Sequence, residues 1–266
     1  MPGKIILLRH GESEWNQDNL FCGWCDIKLT PKGETQAKDS ARLIDDCNCK
    51  PDIVFTSKLT RSIQTANLIL SELDLLYLDL IKNWRLNERH YGSLQGVNKN
   101  QVLQEVGKEK YMFWRRAYNG CPPPIDKDNK FSGLQDYEKR YCNTNEATAE
   151  FDVNLTLDDL PKCESLEMVL KRLLVLYKSK IEIELKLNKT VLIVTHGSVV
   201  RALVKHLYNI SDESISSVNI PNGIPILIEL DDNLSPITQD FQYLDPQKAK
   251  VEAEKVRQQG FLHSSL

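Results

Sequence analysis

Three short runs of uninterrupted apolar residues, Ile5 to Leu8, Ile53 to Phe55 and Val191 to Val194, constrain this chain more than any other feature. A run this short, with no polar alternation, suits a strand covered on both faces, as strands of a parallel sheet are. Helical patterns lie between the runs. Thr30 is a candidate N-cap with Pro31 at the first helical position, and Ala37, Ala41 and Ile44 mark one buried face. A second helix follows Thr60 and is expected to bury Ile63, Ala66 and Leu70. A third runs from about Ser165 to Ile181, with Leu166, Val169, Leu170, Leu173 and Tyr177 at helical spacing. The alternation predicts an α/β fold: a mostly parallel central sheet with helices on both faces. Ligands of open α/β sheets bind beyond the carboxyl ends of the strands, where Arg9-His10, Ser57 to Arg61 and His196-Gly197 all fall.

A chain of 266 residues, 41% hydrophobic and 27% charged, can bury a sizeable core, and a single domain over residues 1–266 is expected. Two stretches depart from regular patterning. Residues 126–160 read as a long polar surface excursion, and the segment from about 247 reads as a helix ending in a mobile tail able to cover a cleft. The net charge of −3 argues against a nucleic-acid binder, which would displace counterions with a strongly basic surface. Lys4 is the one charged side chain before the first apolar run, which Arg9 and His10 close, so neither a signal peptide nor a membrane span fits and a cytoplasmic protein is expected. The N-x-[ST] matches at Asn154, Asn188, Asn209 and Asn233 are then chance.

The strongest local signal is Leu8-Arg9-His10-Gly11-Glu12-Ser13. A neutral imidazole can attack phosphorus, a neighbouring guanidinium can hold phosphate oxygens in a bidentate fork, and glycine permits close backbone approach. Glu88, in Asn87-Glu88-Arg89-His90-Tyr91-Gly92, is the best candidate for the proton shuttle that transfer to and from a hydroxyl requires. Arg89, Lys99, Arg115 and Arg116 supply more cations than one phosphate needs. The run Tyr111 to Arg116 interleaves aromatic and basic residues, which reads best as an amphipathic helix with its aromatics packed inward.

Arg9-His10-Gly11 resembles the signature of the histidine phosphatase superfamily, and further segments resemble its cofactor-dependent phosphoglycerate mutases. These are Ser13 to Asn16, Ser57 to Arg61 with Gln64 to Ala66, Trp84 to Gly92, Arg115-Arg116, Pro122 to Ile125, Thr195 to Gly197, Leu203 to His206, Asn219 to Pro225 and Tyr243 to Pro246. The resemblance covers nearly the whole chain except the polar excursion and the tail. It implies that His10 carries a phosphoryl group, that His196, Arg9 and Arg61 stabilise the group in flight, and that Glu88 is the general acid and base. It also implies that Ser13, Asn16, Cys22, Gly23, Arg89, Tyr91, Lys99, Arg115, Arg116, Gly197 and Ser198 bind substrate. The expected reaction is interconversion of 3-phosphoglycerate and 2-phosphoglycerate, primed by 2,3-bisphosphoglycerate, with no metal, in a homo-oligomer (dimer or tetramer) that engages neither nucleic acid nor membrane. Two alternatives stay open: a phosphatase on the same scaffold, and a catalytically weak relative kept for binding or regulation.

Two pocket positions depart from the family pattern, Cys22 in place of threonine and Ser198 in place of asparagine. Seven cysteines in a cytoplasmic chain argue against a disulfide framework. Cys22-Gly23-Trp24-Cys25 with Cys47 and Cys49 does not complete a zinc pattern. Cys22, beside cations and with Cys25 as resolving partner, is the candidate redox-sensitive thiol.

Overall fold

The computed structural model describes residues 3–134, 140–141, 157–259 and 261. One sheet holds β1 (Lys4–Arg9), β2 (Ile53–Thr56), β3 (Leu80–Lys82), β4 (Thr190–Thr195), β5 (Ile226–Glu229) and β6 (Gln242–Tyr243), in the order β3-β2-β4-β1-β5-β6. The first four strands are mutually parallel, and β5 is antiparallel to both its neighbours. The helices are α1 (Glu14–Gln17), α2 (Pro31–Asp46), α3 (Thr60–Glu72), α4 (Lys99–Arg116), α5 (Leu166–Leu176), α6 (Glu182–Lys186), α7 (Gly197–Leu207) and α8 (Pro246–Gln258).

The apolar runs are buried on both faces because alternate residues feed different cores. Ile5 and Leu7 of β1 join Phe55, Ile193 and the inner faces of α5 and α7, while Ile6 and Leu8 join Val54, Leu192 and the inner faces of α2 and α3. Each such side chain contributes roughly 1.5–3 kcal/mol when taken from water. The register decides what emerges at the carboxyl edge. Arg9 lies opposite Thr195 and Thr56 opposite Val194, so the residues following three adjacent strands come out side by side. The His10 amide donates to the Thr195 carbonyl at 2.9 Å, closing that edge.

Several elements differ from the sequence reading. Thr30 does cap α2, its hydroxyl accepting from the Gly33 amide at 3.1 Å. In α3, however, Ile63 is only partly buried and Ile69 joins Ala66 and Leu70 inside, with Arg61, Ser62 and Thr65 buried on the same stripe. The helix is rotated so that this polar stripe faces the strand ends. Its first turn is capped from afar: the Asp26 carboxylate accepts from the Thr60 amide and hydroxyl, each at 2.7 Å. The third helix begins at Ser165 as expected but continues beyond Ile181, through a π-helical turn at Tyr177–Ile181 into α6. In α4 the inward residues of the aromatic and basic run are Tyr111, which packs in an apolar cluster with Phe21, Leu94 and Val102, and Arg115 and Arg116, which line a cleft, whereas Phe113 is exposed. Gly107, at φ +78°, breaks α4 midway. Most of the polar excursion, Cys142 and the sequon at Asn154 lie outside the described residues, as does the tail beyond α8 apart from Gln259 and Phe261.

Candidate active site

His10 follows β1 directly and is 2% exposed. Its Nδ1 lies 2.6 Å from the Gly11 carbonyl oxygen, so that nitrogen carries the proton and donates it. Nε2 is left with the lone pair, facing the Arg61 Nε at 3.3 Å. Burial, reinforced by Arg61 and Arg9, holds the ring well below the usual histidine range and therefore neutral at pH 7. A neutral imidazole with a fixed tautomer and an inward-facing lone pair is a nucleophile. The segment is anchored around it: the Gly11 amide donates to Thr65 Oγ1 at 3.1 Å, and Asn222 Nδ2 donates to the His10 carbonyl at 2.8 Å. Gly11 is required for a reason the sequence did not suggest, since a Cβ there would strike the Gly33 backbone rather than a ligand.

Arg61, on the first turn of α3, is fully buried and donates to the carbonyls of Cys25 at 2.9 Å and Gly23 at 2.8 Å. Gly23 has φ +49°, and a Cβ there would meet Gln95. His196, at the end of β4, brings its ring to 4.9 Å from that of His10. His196 Nε2 and Ser57 Oγ are hydrogen-bonded at 2.8 Å, Ser57 Oγ also accepts from the Leu59 amide, and the buried His196 Nδ1 has no partner. Burial, then Arg61 and His10, keeps this ring uncharged too. Arg9 spends one nitrogen on the Ile220 carbonyl at 2.7 Å, and its buried Nε has no partner. Unpaired buried donors beside a nucleophilic imidazole suit an incoming anion.

Glu88 is held by backbone amides. Its Oε1 accepts from Arg89 at 2.8 Å and from Ser198, in the first turn of α7, at 3.1 Å. Its carbonyl accepts from Trp24 Nε1 at 2.7 Å and from Arg172 at 3.0 Å, and Arg172 is itself paired with the buried Glu164 at 2.6 Å. The carboxylate borders a cleft that Arg9, Gly197 and Ser198 also line. Asn16, Cys22, Gly23 and Tyr91 line it as well, with Lys99, Arg115 and Arg116 as a second group of cations. Burial pushes the Lys99 ammonium down to about 7, partly offset by Cys22 and reinforced by Arg115, Arg9 and Arg116. Burial and neighbouring guanidiniums likewise lower Arg116, and Arg201 to about 10. So many crowded cations attract an anion strongly.

Two of the expected binding residues stand behind the wall of the cleft. Arg89 is fully buried and donates to the carbonyls of Gly120 at 3.3 Å and Arg115 at 2.9 Å, with its guanidinium over the Tyr91 ring. Ser13 caps α1 through the Asn16 amide. Cys22 and Cys25 do not face each other as a dithiol: Cys25 Sγ donates to the Phe131 carbonyl at 3.3 Å, and burial pushes its thiol up to about 12. Sequence reasoning missed Arg201, which lines the cleft one turn after Gly197 and whose i+4 spacing was the available signal. It also missed how the tail is held. The Gln259 carbonyl accepts from Tyr111 at 3.1 Å and Arg115 at 2.8 Å, its side chain accepts from Lys99 at 3.4 Å, and the Val256 carbonyl accepts from Arg115 at 3.0 Å.

The sequence matches the family model of the histidine phosphatase superfamily (branch 1) over residues 5–135 and 130–238. A 2,3-bisphosphoglycerate-dependent phosphoglycerate mutase of Cutibacterium acnes is 46% identical over 260 residues, covering 98% of this chain and 99% of that one. A phosphoglycerate mutase of Candida albicans is 45% identical with the same coverage. Among solved structures, Bacillus stearothermophilus YhfR superposes with a TM-score of 0.65 at 20% identity, covering 91% of this chain and 100% of that one. A putative alpha-ribazole-5'-P phosphatase from Escherichia coli gives 0.62 at 20% identity, covering 91% and 95%. These two structures share the fold. With His10, Arg61 and His196 gathered at the strand ends and relatives this similar over nearly the full length, the chain belongs to the histidine phosphatase superfamily, branch 1, and within it to the phosphoglycerate mutase family.

Proposed function

We propose that this protein interconverts 3-phosphoglycerate and 2-phosphoglycerate through a phosphoryl group carried on Nε2 of His10, with 2,3-bisphosphoglycerate as primer. The observation that carries the reading is the fixed tautomer of His10, whose Nδ1 proton is spent on Gly11 while Nε2 faces Arg61. The choice of a mutase over other phosphoryl transfers rests on the names of relatives 46% and 45% identical over nearly the full length.

His10 attacks in line, and Arg61 turns its Nε–H from the imidazole to an equatorial oxygen as the new bond forms. Arg9 Nε and His196 Nδ1, both without protein partners, donate to the remaining oxygens. Such transfer needs little covalent help and much electrostatic preorganisation. Glu88 protonates the departing glycerate hydroxyl and takes the proton from the hydroxyl that receives the phosphoryl group next. Lys99, Arg115, Arg116 and Tyr91 hold the carboxylate and second phosphate while the glycerate reorients, and α8 with Gln259 excludes water that would otherwise hydrolyse the phosphohistidine. Arg9 and Arg61, with a hydrogen bond from His196, take the part that magnesium plays in kinases, so the mechanism needs no divalent metal. The proposal includes a role in glycolysis and gluconeogenesis, a cytoplasmic location and a homo-oligomer.

An assay coupled to enolase, run with and without 2,3-bisphosphoglycerate and with EDTA, tests the reading. Turnover of 3-phosphoglycerate that rises on priming and survives EDTA is expected. Release of inorganic phosphate as the main product would replace the mutase with a phosphatase, and failure of both would leave a binding protein.

A further inference from the structure

Outside the cleft, Cys121 and Cys163 bring their sulfur atoms to 3.2 Å although 42 positions separate them in sequence. Both are free and both are partly exposed. Their backbones are held in register by bonds that converge on the turn between them: Ile125 N donates to the Lys162 carbonyl at 3.0 Å, Ser93 N to the Pro123 carbonyl at 2.9 Å, and Glu164 N to the His90 carbonyl at 2.8 Å. Gly92, at φ +58°, fits the gap between the two segments, where a Cβ would meet the Pro123 carbonyl and come within 3.1 Å of Cys163 Cβ.

Each cysteine adjoins a group that holds the Glu88 segment. Cys163 precedes Glu164, whose carboxylate accepts from the His90 amide at 2.8 Å and pairs with Arg172, and Arg172 in turn donates to the carbonyls of Asn87 at 2.7 Å and Glu88 at 3.0 Å. Cys121 follows Gly120, whose carbonyl accepts from Arg89. A displacement at the sulfur pair is therefore transmitted to both flanks of Glu88.

We propose that Cys121 and Cys163 are a peroxide-responsive dithiol, and that their oxidation to a disulfide slows turnover by shifting the segment that carries Glu88. Cys121, as thiolate, attacks a peroxide oxygen; the S–O bond forms, the O–O bond breaks, and hydroxide leaves as water on taking up a proton. Cys163 then attacks the Cys121 sulfenic sulfur, and the displaced hydroxide departs as a second water with the Cys163 proton. Two thiols lose two electrons and one peroxide gains them. Burial and the neighbouring Cys121 push the Cys163 thiol up to about 12, so Cys163 is slow to ionise and Cys121 is assigned the first attack. Bonded sulfurs sit about 2.05 Å apart, so closure from 3.2 Å draws the two segments together, and displacements of about 1 Å near a reacting group can cost up to 10²-fold in rate.

The cross-link follows from the geometry alone, whereas its effect on turnover rests on the mutase reading, and the test separates the two. The full chain is treated with hydrogen peroxide, digested without reductant and mapped by mass spectrometry, with mutase turnover followed in parallel. A peptide pair joined through Cys121 and Cys163, about a tenfold fall in kcat, and recovery of both with dithiothreitol are expected. Cys121→Ser and Cys163→Ser keep the untreated activity and resist peroxide with Cys22 intact. Absence of the joined pair in the unmutated chain overturns the proposal whatever the activity. So does a joined pair with unchanged kcat, or a serine variant as sensitive as the parent. Lack of mutase turnover before treatment defeats the mutase reading and leaves the mapping to decide the cross-link.

Discussion

The site holds two groups of cations that are secured differently. Arg9 and Arg61, beside His10, donate to the carbonyls of Ile220, Cys25 and Gly23, all from loops packed against the strand ends. Arg115 and Arg116 donate to carbonyls of Val256 and Gln259, and Lys99 to the Gln259 side chain, so their partners come from the end of the last helix. The first group is held in place by loop carbonyls at the strand ends. The second is conditional on the tail and borne on a helix interrupted at Gly107. In the proposed mechanism the chemistry is thus built on the group held by strand-end loops, and substrate grip on the group held by the last helix.

Removing the nucleophile tests the strand-end side most severely. His10→Ala is expected to lower mutase turnover by a factor on the order of 10⁴ to 10⁶, as loss of a nucleophile does in other enzymes. It also abolishes the acid-labile, base-stable label left by 2,3-bisphosphoglycerate. Label retained on the variant would move the phosphoryl carrier elsewhere. Glu88→Gln preserves the acceptor for the Arg89 and Ser198 amides but not the proton transfer, so turnover falls by a factor on the order of 10² to 10⁴ with thermal stability unchanged. A parental rate would assign the proton to another group.

The conditional side should show smaller, differently distributed effects. Truncation after Lys255 removes the carbonyl partners of Arg115 and Arg116 and is expected to cut mutase kcat roughly ten- to a hundredfold, the cost of a misassembled site. His10 should still accept the label, and phosphohistidine hydrolysis should quicken. Loss of labelling in the truncated protein would erase the distinction between the two groups. The smallest effect is a pH dependence. With its ammonium lowered to about 7, Lys99 is charged below that pH and neutral above it, so kcat/KM for 3-phosphoglycerate falls as pH rises through 7. Losing one charged hydrogen bond, about 1.5–3 kcal/mol, is worth about tenfold or more. Lys99→Arg, charged throughout, should flatten the profile; an unchanged profile would assign the titration to a different residue.

The strand runs and the three converging segments were legible because burial on both faces of a parallel sheet leaves a contiguous apolar signature, and the site lies where such strands end. His10, Arg61, Glu88 and His196 could be picked out because their chemistry is unusual for their positions. Arg89 and Arg201 could not be ranked from sequence. Arg89 turns inward to the carbonyls of Gly120 and Arg115, while Arg201 lines the cleft, and the direction of each side chain is set by packing.

What the sequence determined by itself was the α/β class and the edge of the sheet where the candidate site gathers, with His10 as its proposed nucleophile. Only the tertiary structure decided which proton His10 gives up, which cations face the cleft, that Glu88 is held by the first turn of α7, and that the tail secures Lys99 and Arg115. The physical reason is the same in each case. Hydrophobic patterning is local and written in side-chain types, whereas most of these contacts end on backbone amides and carbonyls, which every position supplies and composition does not mark.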